Sequence, residues 1–473
     1  MNRLETAGLG ARLDRLPWGA RHTSIMLALG AGWLFDSFEV QLFSTAIGPL
    51  GDTFGASVTE RDGVLAVWLV GILLGAVAGG PLTDRFGRRR LFVLTLSWYA
   101  GFTVLTGLAP SLGVVYVLRF LAALGVGAEY AIVNAAIAEF IPARTRGRAN
   151  VVVMSFWPMG AILAAVLAFL LLNTAAVGTS VSWRYLFLLG GLIALVVLVF
   201  RRRIPESPRW LASRGRHTEA ERVVAGLETA SGVTAGHGRN FAMPAAPPGR
   251  PVVRAALHEL LTRYPGRLVL GSLLDLAEAF GYYGLFALLS VVVLPQVDIS
   301  QREIPFFYIL GNLGGLAGGL AMSLLIDRIG RRATVIGSYT ASACAVVVLA
   351  VATATGDGGW VTAAFMLASA AGIAAWTTAY PTFTELFPTH LRGAGVGLSV
   401  GVGRVGAIAG ALVLPGLATA IGAFVSYALV VAFWLVGAAA MAAFALRGGA
   451  EAARRSLEEL APEPPVSVAG GRA

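Results

Sequence analysis

Gly80-Pro81-Leu82-Thr83-Asp84-Arg85-Phe86-Gly87-Arg88-Arg89-Arg90 joins two apolar stretches, and its pattern returns at Asp327-Arg328-Ile329-Gly330-Arg331-Arg332. Asp327 follows Asp84 by 243 residues. A second signature repeats nearby. Ala138-Glu139-Phe140-Ile141-Pro142 runs on to Arg146-Gly147, and Thr384-Glu385-Leu386-Phe387-Pro388 runs on to Arg392-Gly393. Glu385 follows Glu139 by 246 residues. Two independent signatures at nearly one offset imply a duplicated unit.

What is duplicated follows from composition. The 473 residues are 56% apolar and only 13% charged, about half the charge fraction of soluble domains. Mean hydropathy is +0.74. Apolar stretches lie at roughly 23–48, 63–82, 91–109, 113–134, 151–172, 184–200, 268–293, 305–326, 333–353, 360–379, 395–415 and 421–446. Each is close to the ~20 residues that cross a bilayer. The expected fold is an all-α membrane protein of twelve transmembrane helices in two pseudo-symmetric six-helix bundles. Residues 1–200 would form the first bundle with an N-terminal segment, and 268–446 the second. Between them 201–267 reads as a polar linker with Pro244, Pro247, Pro248 and Pro251, and 216–229 as a short amphipathic helix. The tail 447–473 reads as polar and frayed beyond Glu459. The first stretch carries Asp36 and Glu39 and has no small-residue cleavage site after it, so it reads as a retained helix.

Orientation follows from arginine. All 36 basic residues are arginine. The connections after even-numbered stretches hold Arg85, Arg88, Arg89, Arg90, Arg144, Arg146, Arg148, Arg201, Arg202, Arg203, Arg328, Arg331 and Arg332. The other side holds Arg61, Arg184 and Arg302. Positive charge stays in the cytoplasm, so both termini are expected there. The net charge of +10 is thereby explained by the bilayer as partner, without nucleic acid. The absence of lysine excludes a lysine phosphate loop, a Schiff base and a lysine general base. The five histidines have no metal-ligand spacing, and the one cysteine, Cys344, sits in an apolar run as a packing residue. No cofactor, metal or nucleophile–base constellation is expected, and the protein is read as no enzyme. Gly401-x-Gly403-x-x-Gly406 fits a dinucleotide fingerprint by letter but lies inside an apolar stretch with no strand before it. Close helix packing is its reading.

These residues resemble the major facilitator superfamily along essentially the whole chain. In that family Gly80-x-x-x-Asp84-Arg85-x-Gly87-x-Arg89-Arg90 is the hinge that locks the outward-open state. An acid at a helix end can cap a neighbouring N-terminus and pair with arginine, and glycine permits the tight turn. The second copy departs from the pattern at Ser323 and Ala333. Asp327, Arg328, Gly330, Arg331, Glu139, Arg146, Glu385 and Arg392 complete the expected gating set. Pro205-Glu206-Ser207-Pro208-Arg209-Trp210-Leu211 is similar to the sugar-porter signature, as is Arg119-x-x-x-x-x-Gly125-x-Gly127. Stretch 7 reads Phe280-Gly281-Tyr282-Tyr283 where hexose porters present glutamines. With Trp33-Leu34-Phe35-Asp36-x-x-Glu39 and Gly403-Arg404-Val405-Gly406, the chain resembles nicotinate and aromatic-acid permeases and synaptic-vesicle-glycoprotein-like organic ion carriers. Stretch 5 has Trp157-Pro158-Met159-Gly160 in place of an antiporter glycine-proline motif.

An ionisable side chain at mid-membrane costs ~2.5–3.5 kcal/mol on insertion scales, so each one asks for a reason. Asp36, Glu39, Glu129, Asp275 and Glu278 stand against Arg119 and Arg404. Asp36 and Glu39, three apart, share a helical face. The resemblance implies that Glu39, with Asp36 second, exchanges a coupling proton under the control of Arg119. Arg404 suits a carboxylate through its bidentate fork, or else partners an acid of stretch 7. Asp275 and Glu278, with Tyr282 on the same stripe, suit a cationic or zwitterionic group. Tyr130, Tyr282, Tyr283, Trp376, Trp33 and Tyr380 could stack on a ring, and Glu129 could line the cavity or support Arg119. The expectation is a proton-coupled uptake carrier for a small organic acid, aromatic carboxylates included, working as a monomer in a bacterial inner membrane. The alternatives are a carrier of organic cations, polyols or drugs by symport or efflux antiport, and a non-transporting receptor.

Overall fold

A computed structural model of the protein describes residues 8–172, 179–202, 204–233, 254–297, 299 and 303–460. Arg203, Arg302, the four linker prolines and the tail beyond 460 lie outside the described residues. The first half contains α2 (Ala20–Phe54), α3 (Val58–Phe86), α4 (Arg88–Gly107), α5 (Leu112–Phe140), α6 (Arg146–Met154) continued by α7 (Phe156–Leu172), and α8 (Thr179–Arg201). It is preceded by α1 (Leu9–Arg15). Short helices α9 (Pro208–Ser213), α10 (His217–Ala230) and α11 (Arg254–Arg263) lead to the second half. That half contains α12 (Pro265–Leu288), α13 (Ile304–Ile329), α14 (Arg331–Thr355), α15 (Gly358–Leu386), α16 (Arg392–Ile421) and α17 (Ala423–Leu446), followed by α18 (Leu457–Leu460). α10 buries Ala220, Val224 and Leu227 at helical spacing, where the sequence placed its amphipathic helix.

Among the described residues eleven helices are long and apolar enough to cross a membrane. α4 completes the first six. It opens on three arginines and carries several hydroxyls, which lower its hydropathy, yet it packs between α5 and α8. Several helices overrun the apolar stretches by one or two turns. The fifth span breaks at Ser155: Pro158 has no N–H for the Met154 carbonyl four residues back. Beyond α12 the backbone widens into a π-turn at Leu289–Val293 and tightens at Leu294–Gln296, around Pro295.

Burial is inverted relative to a soluble protein. Leu192, Leu195, Val196, Val199, Val347 and Val351 stand exposed on outer faces, while Asp36, Glu39, Arg119, Glu129, Arg201 and Asp275 are 0% exposed inside. This is what a hydrocarbon surround demands. Cys344 is exposed on the outside of α14, so it is no interior packing residue. The halves meet where α3 lies on α16 and α13 lies on α6 and α7. Glycine sets that approach: a Cβ at Gly80 would stand 2.2 Å from the Gly393 carbonyl oxygen.

Candidate functional site

Between the halves lies a narrow cavity with about 240 Å³ of empty space, lined by Tyr130 of α5, Trp157 of α7, Glu278, Tyr282 and Tyr283 of α12, Trp376 of α15 and Arg404 of α16. Its walls are rings. Trp33 meets Tyr130, Trp157 and Trp376 edge-on at 4.8, 5.7 and 5.5 Å between centroids. Tyr380 lies behind Trp376 at 5.9 Å. The Arg404 guanidinium sits over Tyr130 and Tyr283, 5.0 and 5.3 Å from their centroids, and donates to the Tyr283 hydroxyl at 3.1 Å. Glu278 is 3% exposed, and its Oε2 is buried without a hydrogen-bond partner. One guanidinium and one carboxyl thus face an aromatic slot.

Asp275 is not in the cavity wall. It lies behind Arg404, with Oδ2 3.6 Å from Nη2, an ion pair too long for a hydrogen bond. Gly403 makes the room, since a Cβ there would stand 1.7 Å from Asp275 Oδ2. Gly406 likewise lies against the Leu276 carbonyl. Of the fingerprint-like glycines, Gly403 and Gly406 are the seam of α16 on α12, and Gly401 lies against Val77 of α3. Arg404 thus pairs with an acid of stretch 7 and lines the cavity.

The remaining interior charges form a set within the first half. Arg119 Nη1 donates to Glu39 Oε1 at 2.7 Å, inside a box of Phe43, Trp68 and Phe187 rings. Tyr99 donates to Asp36 at 2.6 Å. Glu129 neither lines the cavity nor touches Arg119. Its Oε1 accepts from Arg201 Nη1 and from Thr95, because α5 turns this residue toward α4 and α8. Arg201, read from sequence as a rim anchor, is wholly buried. Its guanidinium rests against Gly32 of α2, where a Cβ would stand 1.7 Å from Nη2. The interior balance is thus five acids against three arginines.

At the arginine-rich face the two hinge copies tie the halves together. Asp84 Oδ2 accepts from the Ala394 amide at 2.9 Å and Oδ1 from the Gly393 amide at 3.2 Å. Asp84 is thus an N-cap for α16 supplied from the other half, an anion at a helix N-terminus. Its arginine is Arg88, at 3.0 Å. Arg88 also holds Glu139 at 2.7 Å, and Glu139 holds Arg392 of the second half at 3.1 Å. Arg85, Arg89, Arg90 and Arg328 are exposed and take no part in this network, contrary to expectation. In the second copy Asp327 accepts from the Arg148 amide of α6 at 2.7 Å and pairs with Arg331 at 2.6 Å, and Arg331 holds Glu385. Arg146 pairs with Asp14 of α1 at 3.1 Å. Gly87 and Gly330 turn at φ +95° and +101°, a region that favours glycine.

Behind each hinge stands a second acid. Glu206 accepts from the Arg88 amide at 2.8 Å, capping α4, and Glu451 accepts from the Arg331 amide at 2.8 Å, capping α14. Burial pushes the Glu206 carboxyl above its ordinary range, opposed by its amide hydrogen bonds and Arg88. Glu458 joins the described C-terminal end to Arg209 at 3.0 Å. Burial would raise that carboxyl, but the Arg209 charge and hydrogen bond prevail and hold it at about 2.

Comparison with known proteins agrees with this architecture. Residues 25–463 match the family described as "Sugar (and other) transporter". The chain belongs to that transporter family, within the major facilitator superfamily. Relatives of this family include the niacin transporter NiaP of Acinetobacter baylyi, 29% identical over 86% of this chain and 89% of its own length. A probable 4-methylmuconolactone transporter of Cupriavidus pinatubonensis is 31% identical over 85% of this chain and 87% of its own. The proton:xylose symporter XylE, solved with a bromo-deoxyglucose, shares the fold at TM-score 0.77 and 20% identity, covering 94% of this chain and 99% of its own.

Within this family frame, sequence reading missed Arg88, Glu451, Arg201 and the cavity-wall Trp157. Arg88 was legible: it stands 243 residues before Arg331, which the motif did include. Glu451 was legible too, 245 residues after Glu206. Arg201 carried no signal, because an arginine closing an apolar stretch reads as a rim residue until neighbouring helices show that they enclose it.

Proposed function

We propose that this transporter takes up a small aromatic or ring-bearing carboxylate, driven by protons. The observation that carries the substrate reading is the aromatic slot with Arg404 at its wall and Glu278 opposite charge to it. A guanidinium offers a carboxylate two parallel donors, and the tyrosine and tryptophan faces suit a flat ring. Relatives named for niacin and for 4-methylmuconolactone support the same class. The proton reading is supported by Glu39 and Arg119, a buried pair with the remaining Glu39 oxygen unpartnered.

On this reading the hinge ties hold the arginine-rich face shut. That face, with both described ends of the chain, is cytoplasmic by the positive-inside rule, and the protein works as a monomer in the bacterial inner membrane. Substrate enters from the opposite side, and rocking of the halves breaks the Asp84, Glu139 and Asp327 ties. The test is uptake of labelled nicotinate and benzoate into proteoliposomes under an inside-alkaline pH gradient. Accumulation that collapses with the gradient, and binding that is lost in Arg404→Ala, are expected. Transport unaltered by Arg404→Ala would favour instead a cation or polyol carrier using Glu278.

A further inference from the structure

The interior of the first half contains a pattern that the central cavity does not use. α4 carries Thr95, Tyr99 and Thr103, spaced by four residues and so stacked on one face about 6 Å apart. Each hydroxyl meets a different buried carboxylate. Thr95 Oγ1 donates to Glu129, the Tyr99 hydroxyl to Asp36 and Thr103 Oγ1 to Glu39, each at 2.6 Å. A buried arginine closes each end, Arg119 on Glu39 and Arg201 on Glu129. The middle acid has none.

Three carboxylates therefore face two guanidinium groups in a space sealed from water. The other titratable group close to Asp36 is Tyr130 of α5, and α7 packs on the same stretch of α2 through Gly160. The second oxygens of all three acids, Glu39 Oε2, Asp36 Oδ2 and Glu129 Oε2, are buried and unpartnered, as is Arg201 Nη2. An uncompensated carboxylate there is costly. A metal cation would need its ligands gathered at one point, and among the described residues no three His, Cys, Asp or Glu are gathered so. The acids are strung out along a line instead. The lowest hydroxyl shows how such a line could work. Thr95 Oγ1 lies 2.7 Å from the Leu91 carbonyl as well as 2.6 Å from Glu129, and it has one proton to give. With that proton on Leu91, the threonine oxygen accepts from a protonated Glu129. With it turned to Glu129, the hydroxyl supports the carboxylate.

We propose that Glu39, Asp36 and Glu129 share a single proton along α4, held toward the Arg119 end or toward the Arg201 end, with the charged form of each acid supported by its own α4 hydroxyl, on a route separate from the substrate's. The transfer is a proton exchange alone: a carboxyl O–H breaks at one acid as a carboxyl O–H forms at another, and each hydroxyl keeps its own proton, turning it toward its acid when that acid is charged. The proposal rests on the reading that this half handles the coupling ion, but its first test needs no substrate.

That test is infrared difference spectroscopy of the full-length protein, following the protonated-carboxyl stretching band. A shared proton predicts that Glu39→Gln, Asp36→Asn and Glu129→Gln each remove the same one-proton band, since two acids then match two arginines. Arg201→Gln should roughly double it. Independent sites, in which each acid variant removes only its own fraction and Arg201→Gln adds nothing, would overturn the proposal. The second test is nicotinate flux in proteoliposomes. Tyr99→Phe should cut pH-driven accumulation at least tenfold while counterflow stays within twofold. Accumulation at the wild-type level, counterflow lost in equal measure, or accumulation driven by a sodium gradient instead would each overturn the route. Thr95→Ser, which keeps the hydroxyl, should restore what Thr95→Val loses.

Discussion

In the first half, the buried acids are held by that half's own helices: Glu39, Asp36 and Glu129 each rest on an α4 hydroxyl, between two arginines. In the second half, Glu278 and Arg404 open onto the central cavity, and Asp275 sits behind Arg404. At the rim the two halves remain nearly superimposable in chemistry, Arg88 answering to Arg331, Glu139 to Glu385 and Glu206 to Glu451. The duplicated unit has thus kept the machinery that joins helices and diverged where charge meets the interior. On our account the first half carries the ion and the second carries the substrate's charge.

The largest expected effect breaks the part the halves share. Arg88→Ala strands Glu139 and Asp84 in a buried site, and loss of one partner of a buried pair costs about 3–5 kcal/mol. Thermal unfolding should fall sharply, whereas Arg89→Ala and Arg90→Ala, on exposed side chains, should change it by no more than about 0.5 kcal/mol. An Arg89 variant as damaging as the Arg88 variant would contradict the assignment.

Next comes the divergent part. Arg404→Ala removes a charge-assisted hydrogen-bond donor, worth about 1.5–3 kcal/mol, so carboxylate affinity by calorimetry should drop about 10- to 150-fold. The same substitution should leave proton-band titration of the first half unchanged. A smaller asymmetry separates the hinge copies. Asp84 caps α16 through two amides and Asp327 caps α6 through one. Asp84→Asn should shift the population away from the closed form more than Asp327→Asn, by about 1 kcal/mol, the usual size of a cap. Spin-label distances between α3 and α16 and between α13 and α6 would measure both.

The smallest effect is at Glu458, near the end of the described residues. Glu458 is held at about 2 by Arg209, against an ordinary value of 4.5. A depressed carboxyl stabilises the folded form above its unfolded pKa and loses that contribution as pH falls toward the folded one. The tie should therefore be full above pH 4.5 and fade toward pH 2. Glu458→Gln should flatten that small slope. Because the side chain is 39% exposed, the effect at neutral pH should stay within about 1 kcal/mol.

Much of this was legible before any coordinates. Repeated signatures located both hinges, hydropathy located the spans, and the rarity of charge in lipid picked out Glu39, Arg119, Glu278 and Arg404. What stayed hidden depends on which way a helix faces. Glu129 reads as lining the cavity or supporting Arg119, but α5 turns it to Arg201 and Thr95 instead. Trp157 follows a helix break caused by Pro158, and only the break turns its ring into the slot. Arg201 reads as a rim anchor, and only the fold of α2, α4 and α5 around it makes it an interior charge.

The most direct test of the account is Glu39→Gln in proteoliposomes, with nicotinate accumulation under a pH gradient read beside counterflow in the same preparation. The account predicts that accumulation disappears while exchange continues, because Glu39 is not among the residues that line the binding slot. Gradient-driven accumulation that survives in Glu39→Gln would contradict it.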